Sequence, residues 1–168
     1  MKKIIIISLF LMFSTAFVSI ALTSNADNEK HHHQVIHQNE TNKIELYTKV
    51  VDSYISSLNE KNLEGILSLY ADNATVEDPV GSKIVEGKEA LRQFYSGAVT
   101  IDLTLTRTGP VRIAGVEAAF PFQLLMEVDG TPMITDIIDV FRFDEEGKIV
   151  SMRAFWGESN RRVVSLTF

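Results

Sequence analysis

A chain of 168 residues has room for one ordinary domain and a flanking segment. It holds no cysteine, and its four histidines all fall between His31 and His37, so the rest of the chain cannot build a disulfide, a thiolate or histidine metal site, a cysteine nucleophile or a Ser-His-Asp triad. With 16 basic and 22 acidic residues the net charge is -6, which argues against nucleic acid or an anionic membrane surface as the partner.

Met1 to Lys3 is basic, Ile4 to Leu22 carries no charge, and Ser24, Asn25 and Ala26 are small. This pattern predicts a secretory signal peptide over residues 1–26, hence a periplasmic or secreted protein. The apolar run also reaches the length of a membrane-spanning helix, so an uncleaved anchor is the competing reading and the only route to a membrane partner. Residues 27–42 form a polar linker without apolar periodicity. His33 and His37 are spaced i, i+4 within it, a spacing that can hold a metal, but no carboxylate cluster supports them and a solvated tail is the plainer reading.

Residues 43–168 are the expected domain. Ile44, Tyr47, Val50, Val51, Tyr54 and Leu58 recur at helical spacing and predict an amphipathic helix ending at Asn59. A short second helix fits Leu63 to Tyr70, with Leu63, Ile66, Leu67 and Tyr70 inward. Thr75 to Glu77 reads as a strand stopped by Asp78-Pro79 and Gly81. Gly87 precedes a third helix from Lys88 to Ser96, whose apolar positions are Leu91, Phe94 and Tyr95. Strands follow: Ile101, Leu103 and Leu105 alternate with polar residues, and Ala118, Phe120, Phe122, Leu124, Met126 and Val128 alternate with a face carrying Pro121, Gln123 and Glu127. Asp129-Gly130 marks a hairpin into a long strand from Met133 to Phe143. Glu146-Gly147 turns that strand into a last one, with Val150, Met152, Ala154 and Trp156 on one face.

Helices followed by a meander of at least four strands predict an α+β fold, with three N-terminal helices wrapping one face of a curved antiparallel sheet. Such a sheet makes a cone whose apolar interior suits a small apolar ligand. The opposite face would carry Ile134, Ile138 and Val140, apolar for a solvent face and suited to a homodimer contact.

Three polar residues need an explanation. Asp139 shares parity with Ile137, Phe141 and Phe143, so its carboxyl sits on the apolar face and must be paired or protonated. Asp136 lies on the other face, beside Arg142 by parity. Tyr54 falls on the buried stripe of the first helix, where a tyrosine is ordinarily a core aromatic with its hydroxyl toward water. Asp78 precedes Pro79, where an aspartate is ordinarily a turn residue.

The surroundings of these three resemble a known family. The stretches YADNATVEDPVG (70–81), IDVFRF (138–143) and MRAFWGESN (152–160) are similar to the bacterial steroid delta-isomerases, the ketosteroid isomerases. The resemblance runs from about Glu45 to Asn160. It implies the cone-shaped α+β barrel of the nuclear transport factor two-like superfamily, which also includes SnoaL-like proteins and hosts isomerases, cyclases and binding modules. It implies that Asp78 is the general base, Tyr54 the oxyanion-hole tyrosine and Asp139 a protonated oxyanion-hole acid. Tyr70 and Tyr95 match positions that hydrogen-bond to the oxyanion-hole tyrosine in some members. Phe94, Phe122 and Trp156 are the candidates for apolar substrate walls. The chemistry implied is a steroid delta-isomerisation of a 3-oxo steroid that needs no cofactor and no metal, in a protein that is typically dimeric. Two alternatives stay open: an exported binding protein for an apolar ligand, and an isomerase or cyclase acting on a non-steroid enolisable ketone.

Overall fold

The computed structural model describes residues 34–35 and 38–164. The chain divides into two compact units, residues 1–43 and 44–168. In the first unit the described residues, 34–35 and 38–43, are helical and exposed. The leader expected over residues 1–26 and the tract of His31, His32, His33 and His37 lie outside the described residues.

The second unit opens with helix α1, residues 44–59. Its 3.6-residue stripe places Tyr47, Val51, Tyr54 and Leu58 in the core, each at most 5% exposed. Lys61 ends the helix in the left-handed region, at φ 56°, and the Asn62 side chain then caps α2 (Leu63–Ser68) by accepting from the Gly65 amide at 2.9 Å. Ile66 and Leu67 are the buried residues of α2. Strands β1 (Tyr70–Glu77) and β2 (Val85–Glu86) come next, and Gly87, at φ 83°, leads into α3 (Lys88–Ala98), which buries Leu91 and Tyr95. The remaining strands are β3 (Leu103–Arg107), β4 (Arg112–Ala114), β5 (Glu117–Val128), β6 (Thr131–Phe143), β7 (Ile149–Phe155) and, after a 3-10 turn at Glu158–Asn160, β8 (Arg161–Val163).

Among the described residues the strands form one open sheet in the order β2-β1-β7-β6-β5-β3, with β4 also paired to β5 and β8 to β6. Its backbone is the β5–β6 hairpin, turned at Asp129 and Gly130, both with positive φ as the Asp-Gly pair predicts. Period-two alternation puts Phe120, Phe122, Ile137, Phe141 and Phe143 on the buried face, against the helices. Tyr47 of α1 stacks on Phe143 with ring centroids 3.9 Å apart, and Phe120 meets Phe141 edge-on at 4.9 Å.

This is the α+β cone expected from the sequence, with differences of detail. Helix α2 stops at Ser68, and Tyr70 instead opens β1, five residues earlier than the strand expected at Thr75. Tyr70, Ala74 and Val76 share strand parity, so Tyr70 points inward from a strand as it would have from a helix. The sheet is mixed, because β1 runs parallel to β7 while every other pair is antiparallel. Helix α3 therefore lies between strands in chain order, and β2, β4 and β8 are short additions too brief to show as patterns. Asp136 faces away from the core, but its partners are Arg162 and Gln123 rather than Arg142.

Strand β3 is an edge of the sheet, where a backbone N–H and C=O would go unpaired. The Asn59 side chain takes both groups of Leu105: it accepts from the amide at 2.7 Å and donates to the carbonyl at 3.0 Å. The ion pairs Asp52–Arg107 (3.2 Å) and Lys61–Asp102 (3.3 Å) tie the same strand to α1 and its following turn.

Candidate active site

The cone holds a cavity of about 170 Å³ lined by residues of α1, α3 and the inner sheet face. Its walls are mostly apolar, including Phe94, Leu103, Leu105, Phe122, Leu124 and Met126. A mostly apolar concave site with a few convergent polar groups suits a small apolar ligand with a polar handle. Tyr54, Asp78 and Asp139, far apart in the chain, all line this cavity. Phe94 and Phe122 line it as well.

Asp139 comes from the middle of β6, opposite Phe120 of β5 and Ala154 of β7. It is 1% exposed, and its Oδ1 has no hydrogen-bond partner among the described residues. Burial pushes its carboxyl well above the usual carboxylate range, and the negative charge of Asp78 adds to the push. Burial therefore favours its protonated form, which has a proton to donate.

Asp78 follows directly on β1 and is only half-buried. The Val80 amide bonds the Ala154 carbonyl at 2.8 Å, and the Gly81 amide bonds Glu77 at 2.8 Å, which pins the turn carrying Asp78 to β7 and to its own strand. Burial raises the Asp78 value, while the Trp156 Nε1–H, donating to Oδ1 at 2.6 Å, opposes that rise. The two carboxyls thus differ in surroundings: Asp78 has the Trp156 donor and partial solvent, whereas Asp139 is fully buried with its Oδ1 unpartnered among the described residues.

Tyr54 reaches the cavity from α1, packed edge-on against Phe141 with centroids 5.1 Å apart. Burial, followed by the Asp139 charge, raises its hydroxyl well above the usual tyrosine value, so it too remains a donor. The Tyr70 and Tyr95 hydroxyls are hydrogen-bonded at 2.5 Å, and the Tyr95 ring meets Tyr54 edge-on with centroids 6.3 Å apart, so the three tyrosines form one buried cluster. Burial is also the main cause of the raised values of Tyr70 and Tyr95.

Trp156 belongs to the site in a way the sequence does not reveal. It was expected as an apolar wall, and its indole N–H is instead the hydrogen-bond donor to Asp78. The ring is covered on one side by the Arg161 guanidinium, 4.6 Å from the centroid. Asn59 likewise acts on the cavity from outside, through Leu105. Neither role has a sequence signature, since each is made by a single side chain meeting another element. Among the described residues no three His, Asp or Glu side chains gather in a metal-holding group.

An acid that stays protonated and a phenol that stays protonated can together hold an oxygen that gains charge, and a nearby carboxylate can take up the proton that leaves carbon. The SnoaL-like domain profile matches residues 51–152. The chain is 38% identical over 106 residues to a steroid Delta-isomerase of Nocardioides simplex, covering 63% of this chain and 85% of that protein. It is 28% identical over 114 residues to the epoxide hydrolase LasB of Streptomyces lasalocidi, covering 65% of this chain and 40% of that longer protein. A solved structure of the epoxide hydrolase/cyclase-like enzyme SalBIII, described as acting in pyran ring formation in the polyether salinomycin, superposes with a TM-score of 0.66 at 31% identity, covering 70% of this chain and 95% of that one. The profile falls within the unit that holds the cavity, and this chain belongs to the SnoaL-like domain family of the nuclear transport factor two-like superfamily.

Proposed function

We propose that the protein is a cofactor-independent delta-isomerase acting on a 3-oxo steroid, moving a β,γ double bond into conjugation with the ketone. The observation that carries this reading is the pair of unlike carboxyls, Asp78 and Asp139, facing one apolar cavity with Tyr54. Asp78 removes a proton from the carbon between the ketone and the alkene. The electron pair moves onto the carbonyl oxygen as a dienolate. Tyr54 and protonated Asp139 donate to that oxygen as its charge grows, while the apolar walls keep water from competing. Asp78 then returns the same proton to the γ carbon, giving the conjugated enone. The likeness to a steroid Delta-isomerase over most of that protein supports the reaction type and the apolar ketone substrate.

The test mixes the protein with 5-androstene-3,17-dione and follows the conjugated-enone absorbance. Turnover is expected, with Asp78→Asn abolishing it and leaving binding of the steroid analogue equilenin intact. Wild-type turnover by Asp78→Asn overturns the mechanism, and tight equilenin binding without turnover favours a binding protein. The SalBIII likeness favours a second reading in the same cavity, chemistry on a non-steroid polyketide substrate, which turnover of such a ketone or epoxide in place of the steroid would support.

Export belongs to this proposal, on the basic start and uncharged run of residues 1–22. So does a homodimer through the outer sheet face, where Ile138 and its cross-strand neighbour Phe155 are 48% and 42% exposed.

A further inference from the structure

Trp156 is the only tryptophan of the chain, and its Nε1–H donates to Asp78 at 2.6 Å. It lies just beyond the end of β7, where no strand pairing holds it. The indole packs against the core as a partly buried side chain, and its hydrogen bond at 2.6 Å also depends on how the ring's other face is held.

What fixes it comes from the next piece of chain. After Trp156 the backbone folds into the 3-10 turn Glu158–Asn160, closed by the Asn160 amide on the Gly157 carbonyl and the Asn160 side chain on the Gly157 amide, both 2.9 Å. That turn brings Arg161 back over the Trp156 ring, with Cζ 4.6 Å from the centroid. The guanidinium is held from behind by Glu158 at 2.9 Å, and its own backbone by pairing with Thr135 of β6. A planar guanidinium on an indole face is a favourable and orienting contact.

We propose that Arg161 is a positioning residue for the general base: by clamping the Trp156 indole it keeps the Nε1–H on Asp78 and so sets the protonation state in which Asp78 works. The inference rests on Asp78 being the base of the proposed reaction, and Arg161 acts through Trp156 without touching substrate. Apart from Trp156, the titratable groups that face Asp78 are Asp139 from β6, Tyr54 from α1 and Tyr70 from β1. All three are deeply buried, and burial raises each of them above its ordinary value, while the Trp156 N–H is the side-chain donor seated on the Asp78 carboxyl.

The sole tryptophan makes this measurable without any substrate. The Trp156 fluorescence of the full chain is followed against pH, in 1 M salt, where charges are screened beyond about 3 Å. The wild type is expected to show a step that is absent in Asp78→Asn. In Arg161→Ala the midpoint of that step should move up by about 0.5–1 pH unit, the order expected when a hydrogen bond to a carboxylate is partly lost. Arg161→Gln, which keeps the stem and the strand pairing, should do the same and serves if the alanine variant does not fold. Arg161→Lys, which keeps a cation at the ring, should return toward the wild type. A step insensitive to Asp78→Asn, or an unmoved midpoint in the folded Arg161 variants, overturns the proposal. So does a shift seen at low salt that vanishes at 1 M, which is a bare charge effect. The acid limb of kcat/KM should move with the fluorescence midpoint. A protein that shows the shift but never isomerises a steroid keeps this inference about the site and loses the steroid reading.

Discussion

Asp139 sits at the centre of the sheet with no partner for Oδ1 among the described residues, and Asp78 sits at a strand end with Trp156 on it. Consequences follow for activity and for stability. Under the proposed reaction, Asp139→Leu removes a donor to the developing oxyanion and should lower kcat by about 10²–10³-fold, whereas Asp139→Asn keeps an N–H there and should lose far less. Activity should fall as pH drops through the raised Asp78 value, because the base is then protonated, and this is read as the acid limb of a pH–rate profile. For stability, the folded Asp139 binds its proton more tightly than the unfolded chain does. Its contribution is therefore full below the unfolded value near about 3.9 and declines as pH rises toward the folded value, at about 1.4 kcal/mol per pH unit in that window. Asp139→Asn carries no such penalty. Its melting temperature should exceed the wild type at pH 7 and converge with it near pH 4. The parity of Asp139 with Ile137 and Phe141 made its burial legible in the sequence; the absence of a partner was not, because parity says which face a residue takes and nothing of what stands across from it.

At the scale of elements, α1 serves twice: its stripe carries Tyr54 into the cavity, and its last residue, Asn59, holds edge strand β3. Leu103 and Leu105 of that strand are cavity wall, so the strand's position sets the cavity's width. Asn59→Ala removes two hydrogen bonds and should cost about 1–2 kcal/mol in urea unfolding, with faster hydrogen exchange at the Leu105 amide. Under the proposed reaction it should raise KM more than it lowers kcat, since the reacting groups are left in place. The helical stripe of α1 and the alternation of β5 and β6 were legible because burial repeats along them at 3.6 and 2 residues. The α2–β1 boundary was not, since an inward Tyr70 satisfies either period. The parallel β1–β7 pair was not either, because it joins segments separated by most of the domain.

Across the whole unit the sheet leaves one apolar area outside the cone. Pro121, Ile138 and Phe155 lie side by side on neighbouring strands, with Ile138 and Phe155 about half exposed. Charges flank them, Arg153 on Glu77 and Arg162 on Asp136, which gives the patch the polar border common at protein interfaces. Ile138→Glu should convert the proposed homodimer to a monomer in sedimentation velocity. Because the side chain points away from the cavity, equilenin binding should change little. A monomeric wild type would remove the dimer from the proposal and leave the isomerase reading standing.

What the sequence by itself determined was the inventory and its sidedness: no cysteine, no histidine beyond His37, a helical stripe, alternating strands, and an aspartate on the apolar face. These are local properties, written in composition and period. Only the tertiary structure decided that Tyr54, Asp78 and Asp139 meet in one cavity, that Trp156 is a donor to Asp78, and that Arg161 and Asn59 act on the site from behind. Each of those depends on segments distant in the chain coming within a few ångströms, and a contact between two elements leaves no period in either one. The unlike behaviour of the two carboxyls belongs to the same class, since it comes from what surrounds each group once the core has closed.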